Sequence, residues 1–205
     1  MLAERRLYLC TPGRPDLVAF LSACVDGGVD LVQLRDKTLD DQALLDQGGL
    51  ALEVCRPRGV PFVMNDRPDL AARMGADGVH VGQEDAPPRS ARETVGPVGI
   101  VGLSTHAPAE LDASEAEPVD YVSVGPITPT PTKPGRPGTG LGYLDYAAGH
   151  CTRPFFVTGG VTPDAVGALA DHGARQFVVV RHLTLAERPG EAAAALRRAI
   201  DRALG

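Results

Sequence analysis

Gly75-Ala-Asp-Gly-Val-His-Val-Gly-Gln-Glu-Asp85 holds the plan of the chain in eleven residues. A glycine that suits a left-handed helix cap is followed by a short apolar run, 78–81, and that run ends in a cluster of polar groups. Outward in both directions the same unit recurs about eight times. Strands are expected at 6–11, 31–35, 61–64, 78–81, 100–104, 121–124, 155–158 and 176–180. They are short and mostly apolar, as parallel strands buried on both faces must be. Between them apolar residues step by three and four, as on amphipathic helices: Leu17, Phe20, Leu21 and Cys24; Leu39, Ala43, Leu44 and Leu50; Ala195, Leu196, Ala199, Ile200 and Ala203. Gly27, Gly75 and Gly173 suit left-handed helix ends, and Pro108 and Pro163 suit first helical turns.

Eight strands with right-handed crossovers predict an α/β fold, a single (β/α)8 TIM barrel spanning 1–205, over a doubly wound open sheet. No domain boundary interrupts the rhythm. The 205 residues are near the lower limit for such a barrel, and 43% hydrophobic residues suffice for one core. Aromatics at 4% and the absence of Trp predict a core of Ala, Val, Leu and Ile.

A net charge of −6 without a basic face argues against nucleic acid as the main partner and leaves small molecules, phosphates included. Cys10, Cys24, Cys55 and Cys151 are scattered, form no metal-binding spacing and read as inert. Met-Leu-Ala-Glu-Arg-Arg opens the chain without a secretory apolar stretch, and no run approaches ~18 apolar residues. A cytoplasmic protein without a membrane partner is expected; a homo-oligomer is compatible with the sequence.

In a barrel, residues just past the strand C-termini converge on one face. Here they are Gln33-Leu-Arg-Asp-Lys37, Asn65-Asp-Arg67, His80 to Asp85, Ser104-Thr-His106, Thr158-Gly-Gly160 and Val180-Arg-His182. After the sixth strand comes a Pro- and Gly-rich loop, 125–140, with Thr130-Pro-Thr-Lys133 inside it. A long loop at that face reads as functional. Asp66 and Asp85 end neighbouring strands, a carboxylate pair that suits Mg²⁺, which takes one or two carboxylates and completes its shell with water and phosphate. Arg35, Lys37 and Lys133 supply the cations that a diphosphate needs. Gly159-Gly160 lets backbone N–H groups approach a phosphate. Against this, Asp66 and Asp85 could be helix caps, and Arg35 and Lys37 solvated loop charges. Ser104 beside His106 invites a nucleophile reading, but no orienting third residue supports it. His80 is as readily structural as functional.

Taken together, Gln33-Leu-Arg-Asp-Lys37, Asn65-Asp-Arg-Pro-Asp69, Gly75 to Asp85, Gly102-Leu-Ser-Thr-His106, Asp120-Tyr-Val-Ser-Val-Gly-Pro126 and Thr130-Pro-Thr-Lys133 resemble the thiamine phosphate synthase family nearly end to end. The resemblance implies a Mg²⁺-dependent transferase that couples a pyrimidine diphosphate to a thiazole phosphate. It implies that Gln33, Lys37, Asn65, Ser104 and Lys133 hold the diphosphate substrate, with Arg35 nearby, and that Asp66 and Asp85 bind the metal. Lys37, Ser104 and Lys133 would act in catalysis. Thr130 and Thr132 would contact the thiazole phosphate, with Gly159, Gly160 and the end of strand eight at its phosphate. The chain departs from the family pattern at Thr11-Pro-Gly-Arg14, at Ala165 in the place of an Asn, and at Arg181 in the place of a Ser. Arg181 is expected to take over the phosphate contact, with crowding of the pocket as the alternative. A thiazole tautomerase-like isomerase and a non-catalytic thiazole-phosphate-binding barrel are the competing readings; the intact Thr-x-Thr-Lys loop and both acidic residues argue against them.

Overall fold

A computed structural model describes residues 2–129 and 137–205. Its strands are β1 (Leu7–Thr11), β2 (Leu31–Leu34), β3 (Phe62–Asn65), β4 (Gly78–Val81), β5 (Ile100–Thr105), β6 (Tyr121–Val124), β7 (Phe155–Val157) and β8 (Phe177–Val179). All pair in parallel with their chain neighbours, and β8 pairs with β1 through Leu7↔Phe177, Tyr8↔Val178 and Leu9↔Val179. The sheet is therefore a closed (β/α)8 barrel and not an open doubly wound sheet. Expected and observed strand ends differ by a residue in several places, because the last ladder bond falls just inside or outside the apolar run.

Around the barrel run α1 (Leu17–Asp26), α2 (Asp41–Cys55), α3 (Pro68–Met74), α4 (Pro88–Val95), α5 (Pro108–Ser114), α6 (Gly140–His150) and α7 (Pro163–Asp171). A one-turn α8 (Arg181–Thr184) and the long α9 (Pro189–Leu204) follow β8. Proline opens α3, α4, α5, α7 and α9, where its missing N–H has no intrahelical acceptor to lose and its fixed φ is already helical. α1 buries Leu17, Phe20, Leu21 and Cys24, as its periodicity predicts.

Elsewhere tertiary contacts correct the sequence reading. α2 turns Leu44, Gly48, Ala51, Leu52 and Cys55 inward while Ala43 and Leu50 stay half-buried. Ala203 is exposed, and Ala193 takes its place in the core on α9. Gly75 and Gly173 have the left-handed φ expected of them, 71° and 90°, but Gly27 does not. Its φ is −80°, and it is glycine because a Cβ there would lie 2.5 Å from the Gly190 carbonyl oxygen; Gly28 carries the positive φ instead.

Most of the core is Leu, Val and Ala, as expected, and the barrel interior adds aromatic rings to Leu31, Val63 and Val178. Tyr8, Tyr121 and Phe156 meet edge to face, with centroids 5.3–6.0 Å apart. Gly102, the register partner of Tyr121, makes the room: a Cβ there would meet the Tyr121 ring at 2.1 Å.

At the N-terminal end of the barrel, aspartates just before even-numbered strands tie down the strand before. Asp30 accepts from the backbone N–H groups of Arg6 (2.8 and 3.0 Å) and Leu7 (2.9 Å) and pairs with Arg197 at 3.1 Å. Asp77 accepts from Phe62 N–H at 2.8 Å, and Asp120 from Val101 N–H at 2.7 Å and from Arg92 at 2.5 Å. The Asp30 side chain is only 16% exposed, so its replacement strands buried donors. Asp30→Ala is expected to lower the unfolding free energy by roughly 1–3 kcal/mol in urea titrations, and Asp30→Asn, which keeps an acceptor, by less.

Candidate active site

Strand closure brings the C-terminal strand ends around one cavity of about 660 Å³. Gln33, Arg35, Lys37, Asn65, Asp66, Asp85, Ser104, Gly159, Gly160 and Arg181 all line it, so the predicted residues that are described share one site. Thr130, Thr132 and Lys133 lie outside the described residues. The loop that carries them is anchored at both ends: Ile127 N–H donates to Thr158 O at 2.8 Å, and Thr139 N–H donates to Pro126 O at 2.8 Å.

The acidic cluster forms one side of the mouth. Asp66 follows β3 with φ at 61°, a left-handed conformation that Asp tolerates better than most residues and that recurs at functional sites. Its carboxylate is 3.0 Å from Lys37 Nζ and 20% exposed. Burial, and then the neighbouring Asp85 carboxyl, pushes the Asp66 carboxyl above its ordinary range, while Lys37 pulls it down. Neither aspartate caps a helix: Arg67 precedes α3, Pro87 precedes α4, and neither of these makes a side-chain cap. Two carboxyl groups side by side with one ammonium leave negative charge uncompensated, which suits a divalent cation. Among the described residues no group of three or more His, Cys, Asp or Glu gathers to hold a metal, so such a cation would depend on water and phosphate for the rest of its shell.

Asp85 is held from behind. Gly82 N–H donates to Asp85 Oδ2 at 2.9 Å, and a Cβ on Gly82 would lie 2.8 Å from the same oxygen. Glycine is needed there for the closeness of the carboxylate and not for its φ. Next to Gly82, Gln83 Nε2 donates to the Ser104 carbonyl at 2.7 Å and ties this loop to the end of β5.

The cationic groups spread along the wall. Asp36 points away from the cavity and accepts from Thr38 N–H (2.9 Å), Thr38 Oγ1 (2.6 Å) and Gly13 N–H (3.1 Å). The flanking Arg35 and Lys37 both face the cavity. Neither Arg35 nor Arg181, the first residue of α8, has a carboxylate partner among the described residues. Arg67 leaves the site to pair with Asp41 and Asp69. Gly159 and Gly160 have φ of 93° and 79°, and a Cβ at either would collide with the 126–128 segment. They leave bare backbone just ahead of α7, whose N-cap is Thr162.

Sequence reading missed part of the lining: Tyr8, Cys10, Ser123 and Leu185. The inward period-two alternation was available at Tyr8/Cys10 and Tyr121/Ser123, yet those strands read as apolar core. Cys10 is a cavity wall as well as a buried thiol; Cys24 and Cys55 are interior, and burial pushes both thiols up to about 12.

Comparison with known proteins fits this geometry. Residues 7–183 match the family described as thiamine monophosphate synthase. The thiamine-phosphate synthase of Thermobifida fusca is 47% identical over 203 residues, covering 96% of this chain and 93% of that protein. That of Thermus thermophilus is 46% identical over 198 residues, covering 94% and 95%. The one from Nostoc punctiforme is 43% identical over 189 residues; the chain spans only about half, 54%, of its length. Among solved structures, a thiamine phosphate pyrophosphorylase from Pyrococcus furiosus superposes with a TM-score of 0.90 at 26% identity, over 100% of this chain and 99% of that one.

Because a methyl at position 82 would displace the Asp85 carboxylate, Gly82→Ala is expected to weaken several-fold any binding of a divalent cation between Asp66 and Asp85 while leaving the fold intact. Calorimetric titration with Mg²⁺ and a thermal melt check the two halves of that expectation.

Proposed function

Since the chain belongs to the thiamine monophosphate synthase family, we propose that the barrel mouth couples 4-amino-2-methyl-5-hydroxymethylpyrimidine diphosphate to a hydroxyethylthiazole phosphate, giving thiamine phosphate and diphosphate. The enzyme is a transferase. One observation carries the reading of the site: Lys37, Asp66 and Asp85 meet at one side of a cavity whose other walls hold Gln33, Asn65 and Ser104.

The C–O bond between the pyrimidine methylene and the diphosphate breaks, and its electron pair leaves with the diphosphate. The thiazole nitrogen then gives its lone pair to the methylene cation, forming the C–N bond. No enzyme nucleophile takes part. The chain's task is to stabilise charge on the departing group and to hold two substrates in line. Lys37 and Arg35 supply fixed positive charge at the diphosphate, with Lys133 joining them on the family motif. Gln33, Asn65 and Ser104 offer hydrogen bonds that orient the pyrimidine diphosphate. Thr130 and Thr132, on the same motif, serve the thiazole phosphate.

Asp66 and Asp85 would hold Mg²⁺, which when bound supplies further positive charge to the diphosphate. The crowded carboxyl pair and the glycine cradle behind Asp85 support that fit.

The thiazole phosphate is assigned to the wall formed by Gly159, Gly160 and Arg181. Bare N–H groups and a guanidinium with no carboxylate partner among the described residues suit an anion. No observation favours an isomerase or a binding protein over this reading.

Purified protein given both substrates and Mg²⁺ is expected to form thiamine phosphate, and EDTA to stop it; absence of product from folded protein overturns the reading. Asp85→Ala should abolish turnover with an unchanged circular dichroism spectrum. Arg181→Ser should raise KM for the thiazole phosphate about tenfold or more, with KM for the pyrimidine diphosphate nearly unchanged. A lowered KM would mean that Arg181 obstructs the pocket.

A further inference from the structure

The floor of the cavity holds a run of hydrogen bonds with a direction. Gln33 Nε2 donates to the Tyr8 hydroxyl at 2.6 Å, and the Tyr8 and Tyr121 hydroxyls are 2.9 Å apart. The Tyr121 hydroxyl is 2.9 Å from His80 Nδ1, and His80 Nε2 is 2.9 Å from Ser104 Oγ. Ser123 Oγ donates to Ser104 Oγ at 3.4 Å. All six residues are buried, with Tyr8 and Tyr121 at 1% and 0% exposure, so an unmade bond in this run is expensive.

Proton counting sets every bond from one end. An amide nitrogen only donates, so the Tyr8 oxygen accepts from Gln33. The Tyr8 proton then goes to the Tyr121 oxygen, and the Tyr121 proton goes to His80 Nδ1. A ring that accepts at Nδ1 carries its proton on Nε2 and donates it to Ser104. Ser104 Oγ thus accepts from His80 and from Ser123, which leaves its own proton for the cavity. At the starting end Cys10 Sγ donates to Gln33 Oε1 at 3.1 Å, which agrees with this orientation of the amide; because a thiol can also accept, the His80 tautomer is what tests it. A ring protonated on both nitrogens would push a second donor toward Tyr8 and leave the Tyr8 proton without an acceptor. A Gln33 amide turned end for end would reverse every bond and turn the Ser104 proton toward His80.

We propose that Tyr8, Tyr121 and His80 are positioning residues which hold His80 as its Nε2–H tautomer and so preset Ser104 as a hydrogen-bond donor to the pyrimidine diphosphate. The identity of that acceptor rests on the function proposed above; the direction of the run does not. A donor oriented before the substrate arrives needs no reorganisation when charge develops on the leaving group.

The test is ¹⁵N NMR of the ring nitrogens in the full-length, ligand-free protein. Of the five histidines, His80 is assigned by the signals lost in His80→Asn. The expected spectrum has a protonated Nε2 and a bare Nδ1; an Nδ1–H or doubly protonated ring overturns the proposal. A second arm reads the consequence. Tyr121→Phe is expected to lower kcat about tenfold with little change in KM, and the loss should vanish in a Ser104→Ala background. An equal loss in both backgrounds overturns the link through Ser104. Should Tyr121→Phe not fold, the wild-type tautomer decides alone. A protein that makes no thiamine phosphate yet shows the Nε2–H ring would sink the synthase reading and leave the polarity of the run standing.

Discussion

Pairing of β8 with β1 through Leu7↔Phe177, Tyr8↔Val178 and Leu9↔Val179 is the constraint on which the remaining geometry rests. Closure removes both sheet edges and forces alternate residues of every strand into one shared interior. It also aims all eight C-terminal strand ends at one mouth, so residues as distant in sequence as Lys37, Asp85 and Arg181 line one cavity. The opposite end is secured by different means. Asp30, Asp77 and Asp120 each take up backbone N–H groups of the preceding strand, where polar groups would otherwise end unpaired.

The mouth is electrostatically mixed and not merely basic. Overall the chain carries −6, yet Arg35, Lys37 and Arg181 face the cavity, opposed by the Asp66 and Asp85 pair. The positive φ of Asp66 and the absence of a side chain at Gly82 both accompany the approach of these carboxyl groups. Lys37 is steered from outside the cavity by Asp36, which fixes the turn between the two flanking cations.

Beneath the mouth, the interior mixes aromatic rings with Leu31, Val63 and Val178. Few aromatics are present in the chain, and three of them fill the barrel centre, where their ring edges pack and two hydroxyls continue the hydrogen bonding from Gln33 to His80. Buried and bonded end to end, the members of this run restrict one another's orientation.

The sequence by itself determined the architecture and the membership of most of the site. Short apolar runs bounded by Gly and Pro at a regular spacing leave few ways to bury both faces of each strand, and polar clusters at the same end of successive runs mark one functional face. Local rules sufficed because strand periodicity, helix-opening prolines and caps such as Gly75 act within a few residues. What only the tertiary structure decided depends on neighbours remote in the chain. Gly27 is set by the Gly190 carbonyl, Gly102 by the Tyr121 ring, and the burial of Ala193 by its packing against Gly27 at the end of α1. Likewise His80 shows no preference between a structural and a functional role until Tyr121 and Ser104 are seen on its two ring nitrogens. A hydrogen bond's direction belongs to the whole connected set of groups, and that set exists only once the barrel has closed.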